Sequence, residues 1–194
     1  MGLQELSEAT DPEAIESGTK LFEYLRTCIS DHYLDFAKLA ELLDLLCIPM
    51  EGAQLDNAHF DALKEKSHGK DVLGIRYPLD LDKASRKIMK IPRSCLVLTS
   101  EYFDTPLSSD LILFSKSLKW VWIAYYLDYW YVFGDQDFLE AVSGKSFLTS
   151  YSIESYNFRY NSLQDERVDA IMKRLDGHVL RKLISSDYQR NRRS

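Results

Sequence analysis

No phosphate-binding loop can be assembled from this chain: its eight glycines are scattered, and none falls in a G-x-G-x-x-G or G-x-x-x-x-G-K-[ST] arrangement. Cysteine is equally scarce. Cys28, Cys47 and Cys95 are odd in number, far apart and without a C-x-x-C pair, which excludes a disulfide framework and a compact zinc knuckle and fits a reducing compartment. There is no G-x-S-x-G elbow and no local cysteine-protease signature, so no nucleophile can be assigned. The start of the chain lacks the basic segment and apolar core of a signal peptide, and Leu6 stands where a myristoylation motif needs Ser or Thr; a cytoplasmic protein is expected. The longest apolar region, 107–133, is broken by Asp110, Lys116, Lys119 and Asp128, too many charges for a spanning helix. Positive charge is also outweighed. With 24 Lys and Arg against 30 Asp and Glu the formal net charge is −6, which leaves no overall electrostatic footprint for nucleic acid or anionic membranes. Internal repeats and low-complexity tracts are absent.

What the chain does hold is apolar side chains, 45% of 194 residues, enough to fold around one substantial core. They are concentrated in the run from Lys119 to Asp135, which contains all three tryptophans, Trp120, Trp122 and Trp130. Aromatic and β-branched residues suit a pleated surface better than a helix, where χ1 freedom is lost against the preceding turn. The run is therefore read as two strands that fold back near Leu127 and Asp128. Leu111 to Phe114 and Ser94 to Thr99 read as further strands, joined to it by a turn over 115–119.

On the N-terminal side, Asp11-Pro12-Glu13 opens a helix as cap, first position and acidic first turn. Asp31 offers a cap for a second helix carrying Leu34, Leu39, Leu42, Leu43, Leu45 and Leu46, which Pro49 stops. A shorter helix is expected over 56–66, and one or two helical turns over 82–89. Beyond the aromatic run, Asp135 caps a short helix ended by Gly144, and 147–160 reads as extended. Val168, Ile171, Met172 and Leu175 then make a final helix that restarts after Gly177. The expected fold is a single α+β domain over 1–194: a helical part at 12–91, a sheet-containing part at 92–160 built around a small antiparallel sheet of residues 94–133, and C-terminal helices at 162–187 before a frayed basic tail at 188–194. The alternative is an all-α chain with a long central helix over 108–133, since Leu107, Leu111, Phe114, Leu118, Val121, Tyr125 and Val132 also fit a heptad-like seam. It would bury Asp128, and a turn leaves that carboxylate in water.

Candidate sites are sparse. Cys28 and His32 share metal-ligand spacing on a helix, but no second half-site exists, so no metal and no cofactor are expected. His59 beside Asp56 and Asp61, and His178 after Asp176, read as solvated surface residues rather than oriented bases. Glu101, Asp104 and Asp110 form an acidic group ahead of the aromatic run. One face of that run, Trp120, Trp122 and Tyr126, is expected to leave aromatic surface for a protein partner, with the acids and Asp128 as its rim. Tryptophan and tyrosine are enriched at binding hot spots, and acidic rims speed encounter with a basic partner such as a nuclease. The expectation is thus a non-enzymatic, acidic protein-binding module, an immunity-like inhibitor that neutralises a toxin or effector by occupying it. The alternatives are a viral or phage accessory protein gripping nucleic acid through Arg190, Arg192 and Arg193, and an enzyme of a family without short motifs.

Overall fold

The computed structural model describes residues 7–30, 33–51, 65–66, 72–77, 88–91, 110–125, 129–161 and 165–191. Helix α1 (Pro12–Cys28) begins as its residues dictate: the Asp11 carboxylate accepts from the Glu13 amide at 3.1 Å and Pro12 takes the first helical position. Its buried stripe includes Gly18, Leu21, Phe22 and Leu25. A hairpin of β2 (Ile29–Ser30) and β3 (Tyr33–Leu34) follows. Asp35 then caps α2 (Phe36–Leu43), accepting from the Lys38 amide at 2.9 Å. Asp44, in the left-handed region at φ 56°, turns the chain out of that helix.

The strands that follow build one antiparallel sheet. In chain order they are β4 (Leu46–Glu51), β5 (Val72–Tyr77), β6 (Ile88–Ile91), β7 (Asp110–Phe114), β8 (Trp120–Tyr125) and β9 (Tyr129–Gly134). With β1 (Ser7–Glu8) they form a seven-stranded sheet in the order β1-β6-β5-β7-β8-β9-β4. The aromatic run is a hairpin, in register from Trp120↔Gly134 to Tyr125↔Tyr129. The chain therefore reverses between Tyr125 and Tyr129, and the long central helix is excluded. The 115–119 turn also forms, closed by the Leu118 amide donating to the Ser115 carbonyl at 2.8 Å. Lys116 at its tip pairs with Asp11 and Glu13, and the Ser17 hydroxyl donates to the Lys116 carbonyl, tying this turn to the start of α1.

Three helices complete the described chain: α3 (Gln136–Ser143), α4 (Phe147–Asn161) and α5 (Glu166–Asn191). Asp135 caps α3 and Gly144 ends it at φ 65°, both as the sequence predicts. Alternation along β8 and β9 divides the sheet residues between two faces. On one, Phe36 of α2 stacks on Tyr131 at 4.4 Å between ring centroids, and Phe158 of α4 meets both rings edge-on. Gly18 lets α1 approach the same face: a Cβ there would lie 2.4 Å from Ile88 Cδ1. On the other face, Phe138 of α3 stacks on Trp120 at 5.5 Å. Gly134, opposite Trp120, is what permits this, since a Cβ would fall 2.3 Å from Phe138 Cδ1.

The α+β class stands, but several expectations need correction. The sheet is not confined to 94–133, because the nominally helical N-terminal part supplies β4, β5 and β6. The proposed second helix is divided into β3, α2 and β4. Pro49 does not stop a helix there; it sits inside β4, whose only partner among the described residues is β9, an edge position where a missing amide is tolerated. Met89 belongs to β6 rather than to a helical turn. The stretch 147–160 is helical, not extended, and α5 runs through Gly177 without restarting. Of the helix expected over 56–66, Glu65 and Lys66 are helical; its other residues and the strand at 94–99 lie outside the described residues.

A candidate interaction surface on the last two helices

Both faces of β8 are closed to solvent over residues 120–123. Val121 and Ile123 are buried on one side, and on the other Trp120 and Trp122 are only 3% and 1% exposed. Trp120 is held under Phe138, and Trp122 meets Trp130 edge-on at 5.9 Å. These two tryptophans are therefore core, and the partner-binding aromatic face expected on the strand is corrected accordingly. Of the proposed acidic rim only Asp110 is among the described residues, where it opens β7 opposite Tyr77; Glu101, Asp104 and Asp128, and Tyr126 of the expected aromatic face, lie outside them. Of the tail arginines, Arg190 is on the last turn of α5, and Arg192 and Arg193 lie outside the described residues.

Among the described residues the most exposed aromatics are instead on α4. Tyr156 and Tyr160 are 68% and 61% exposed and stack on one another at 6.2 Å between centroids. Ile153 precedes them at helical spacing on the same side, and Leu148 is exposed near the start of the helix. The opposite side of α4 is core, with Phe147, Ser150, Ser155 and Phe158 buried. The helix thus carries large apolar side chains on both its inward and its outward side. The local start is well defined: the Ser146 hydroxyl bonds Thr149 Oγ1 at 2.8 Å, and the Phe147 amide donates to the Glu140 carboxylate at 3.0 Å.

Helix α5 lies antiparallel beside α4, fixed by a part-buried polar group. The Tyr151 hydroxyl donates to Asp176 Oδ1 at 2.7 Å, Arg159 bonds the other oxygen of the same carboxylate, and Asp169 lies 3.9 Å from the Arg159 guanidinium. Burial, then the Asp176 carboxylate, pushes the Tyr151 hydroxyl well above its ordinary value, so it stays protonated and donating. On its other flank α5 is tied to α2, Arg174 to Asp35 and Arg181 to Glu41 at 3.1 Å. His178 is buried, not solvated as its neighbours in sequence suggest; its Nε2 lies 2.8 Å from the Leu45 carbonyl oxygen. The outward stripe of α5 carries exposed Leu180 and Ile184.

Chemistry elsewhere is limited. Cys28 and Cys47 are buried, and burial pushes both thiols up, away from the reactive thiolate. The cleft between α1 and the sheet, lined by Gly18, Thr19, Phe22, Glu23, Ile75 and Ile88, encloses about 30 Å³, room for roughly two waters. Among the described residues no cluster of three or more His, Cys, Asp or Glu is placed to hold a metal, and no helix is long and apolar enough to cross a membrane. Comparison of the chain with family profiles, with curated proteins and with solved structures finds no match. Sequence reasoning missed α4 because its inward and outward apolar residues interleave and hide the 3.6-residue period. The signal that could have found it is Phe147, Tyr151 and Phe158, which by themselves recur at helical spacing.

Proposed function

We propose that this chain is a non-enzymatic protein-binding module, engaging its partner through the outer faces of α4 and α5. Its more specific form is an immunity-like inhibitor that neutralises a toxin or effector by occupying it. The observation that supports the reading is the uneven spread of exposed apolar side chains: of nine exposed large hydrophobics among the described residues, six (Leu148, Ile153, Tyr156, Tyr160, Leu180 and Ile184) are on these two adjoining helices. Contiguous exposed apolar surface rimmed by polar residues is characteristic of docking sites, and stacked tyrosines supply large contact area at low entropic cost. The formal charge of −6 favours a basic partner by complementary steering.

The test is a matched pair of purifications from the native host, with the captured protein identified by mass spectrometry and binding then measured with purified components. The unaltered chain is expected to hold a stoichiometric partner that the Tyr156→Arg/Tyr160→Arg double variant loses, with native circular dichroism in both. A control change on an exposed apolar residue of α1, Ile15→Arg, should leave binding intact. Equal binding by the α4 variant would reject the surface.

A further inference from the structure

Resting on the docking surface just proposed, we infer that in the free chain this face is covered by a second copy of the same chain, related by a two-fold axis, and that partner capture competes with this self-association. A two-fold contact places one patch against itself, so the patch must be complementary to its own reversal. The α4–α5 face meets that condition. Tyr151 bonds Asp176 and Arg159 approaches Asp169, so the two helices run in opposite directions and the residues before Tyr151 lie beside those after Asp176. Exposed Lys145 just ahead of α4 therefore shares an end with Leu180 and Ile184. Glu166, exposed at the first position of α5 and on the same outward stripe as Leu180 and Ile184, marks the opposite end.

Neither Lys145 nor Glu166 is in an ion pair with another described residue. A two-fold rotation brings the Lys145 end of one copy onto the Glu166 end of the other, opposite charge to opposite charge. Helix α4, 15 residues long, spans about 22 Å between these ends at the usual rise. Along it the outward residues Leu148, Thr149, Ser152, Ile153, Tyr156 and Tyr160 carry no charge. In a chain of net charge −6 such a stretch is where two copies approach without repulsion. The product is a four-helix arrangement, two antiparallel helices from each chain, with Leu148, Ile153, Tyr156 and Tyr160 of α4 and Leu180 and Ile184 of α5 as the apolar part of its seam and the exposed Asp169–Lys173 pair of α5 between them.

The experiment is sedimentation velocity of the full chain over a wide concentration series, with circular dichroism to show that each variant is folded. The unaltered chain is expected to pass from monomer to dimer, and Tyr156→Arg to stay monomeric throughout. Lys145→Glu and Glu166→Lys should each weaken the dimer by about fivefold, the scale of a solvent-exposed pair, and the double reversal should restore it. A chain that is monomeric at every concentration, while Tyr156→Arg still abolishes capture of the partner, overturns self-association and leaves the docking surface standing. A dimer indifferent to Tyr156→Arg places the contact elsewhere and overturns it as well. If Tyr156→Arg changes neither association nor capture, both readings fail together.

Discussion

Two stretches of this molecule are rich in aromatics and meet opposite ends. The β8–β9 hairpin, residues 120–133, holds three tryptophans, four tyrosines and a phenylalanine, and α4 holds three tyrosines and two phenylalanines. In the hairpin, alternation sends side chains to two faces, and β8 has buried residues on both, so Trp120 and Trp122 end as core. In α4 the same kinds of residue wind around a cylinder, and a cylinder lying on a sheet has one side that the sheet cannot reach. Tyr156 and Tyr160 are on that side. Aromatic density therefore says little about binding until the element carrying it is known; what decides is whether the protein can pack against every side of that element.

The contrast can be broken most sharply in the hairpin. Trp122→Ala should cost about 3–5 kcal/mol of stability, as truncation of a fully buried large aromatic does, read from denaturant midpoints. A loss under 1 kcal/mol would mean that the indole is not packed. Gly134→Ala should cost about 1–3 kcal/mol by overpacking, because its Cβ has no room against Phe138.

Between the two stretches, at the joint of α4 and α5, Tyr151→Phe should cost about 1–2 kcal/mol by leaving the Asp176 carboxylate one donor short. Its pH dependence has a definite sign. The folded-state pKa of Tyr151 is raised above the ordinary 10.0, so in alkali the unfolded chain loses this proton first and binds fewer protons than the folded one. The Tyr151 contribution is fully present below about pH 10 and is lost as pH rises beyond it. Stability of the Phe variant should fall less steeply above that pH than stability of the unaltered chain. On the outer side of α4 the expected effect is smallest: Tyr156→Ala should change stability by no more than about 0.5 kcal/mol while weakening association.

These differences also explain what was readable beforehand. The turn over 115–119, the reversal between Tyr125 and Tyr129, the Asp11 and Asp135 caps and the Gly144 stop all depend on a few neighbouring residues, and each was legible. Pro49 was misread because its meaning depends on strand order: an edge position next to β9 tolerates it, and strand order is decided by partners distant in sequence. Helix α4 was misread for the opposite reason, since its surface residues look like core and blur the period. Trp120 and Trp122 read as exposed binding residues because they are the strongest local signal for a hot spot, and only the packing of Phe138 and Trp130 reveals them as interior.

The comparison is tested most directly by hydroxyl-radical footprinting of the native chain across a concentration series, reading tryptophan and tyrosine modification in one experiment. Trp120 and Trp122 should stay unmodified throughout, while Tyr156 and Tyr160 react freely in dilute solution and become protected as the chain associates. Ready modification of Trp120 and Trp122 in the folded chain, or Tyr156 and Tyr160 as unreactive as those tryptophans in dilute solution, would contradict it.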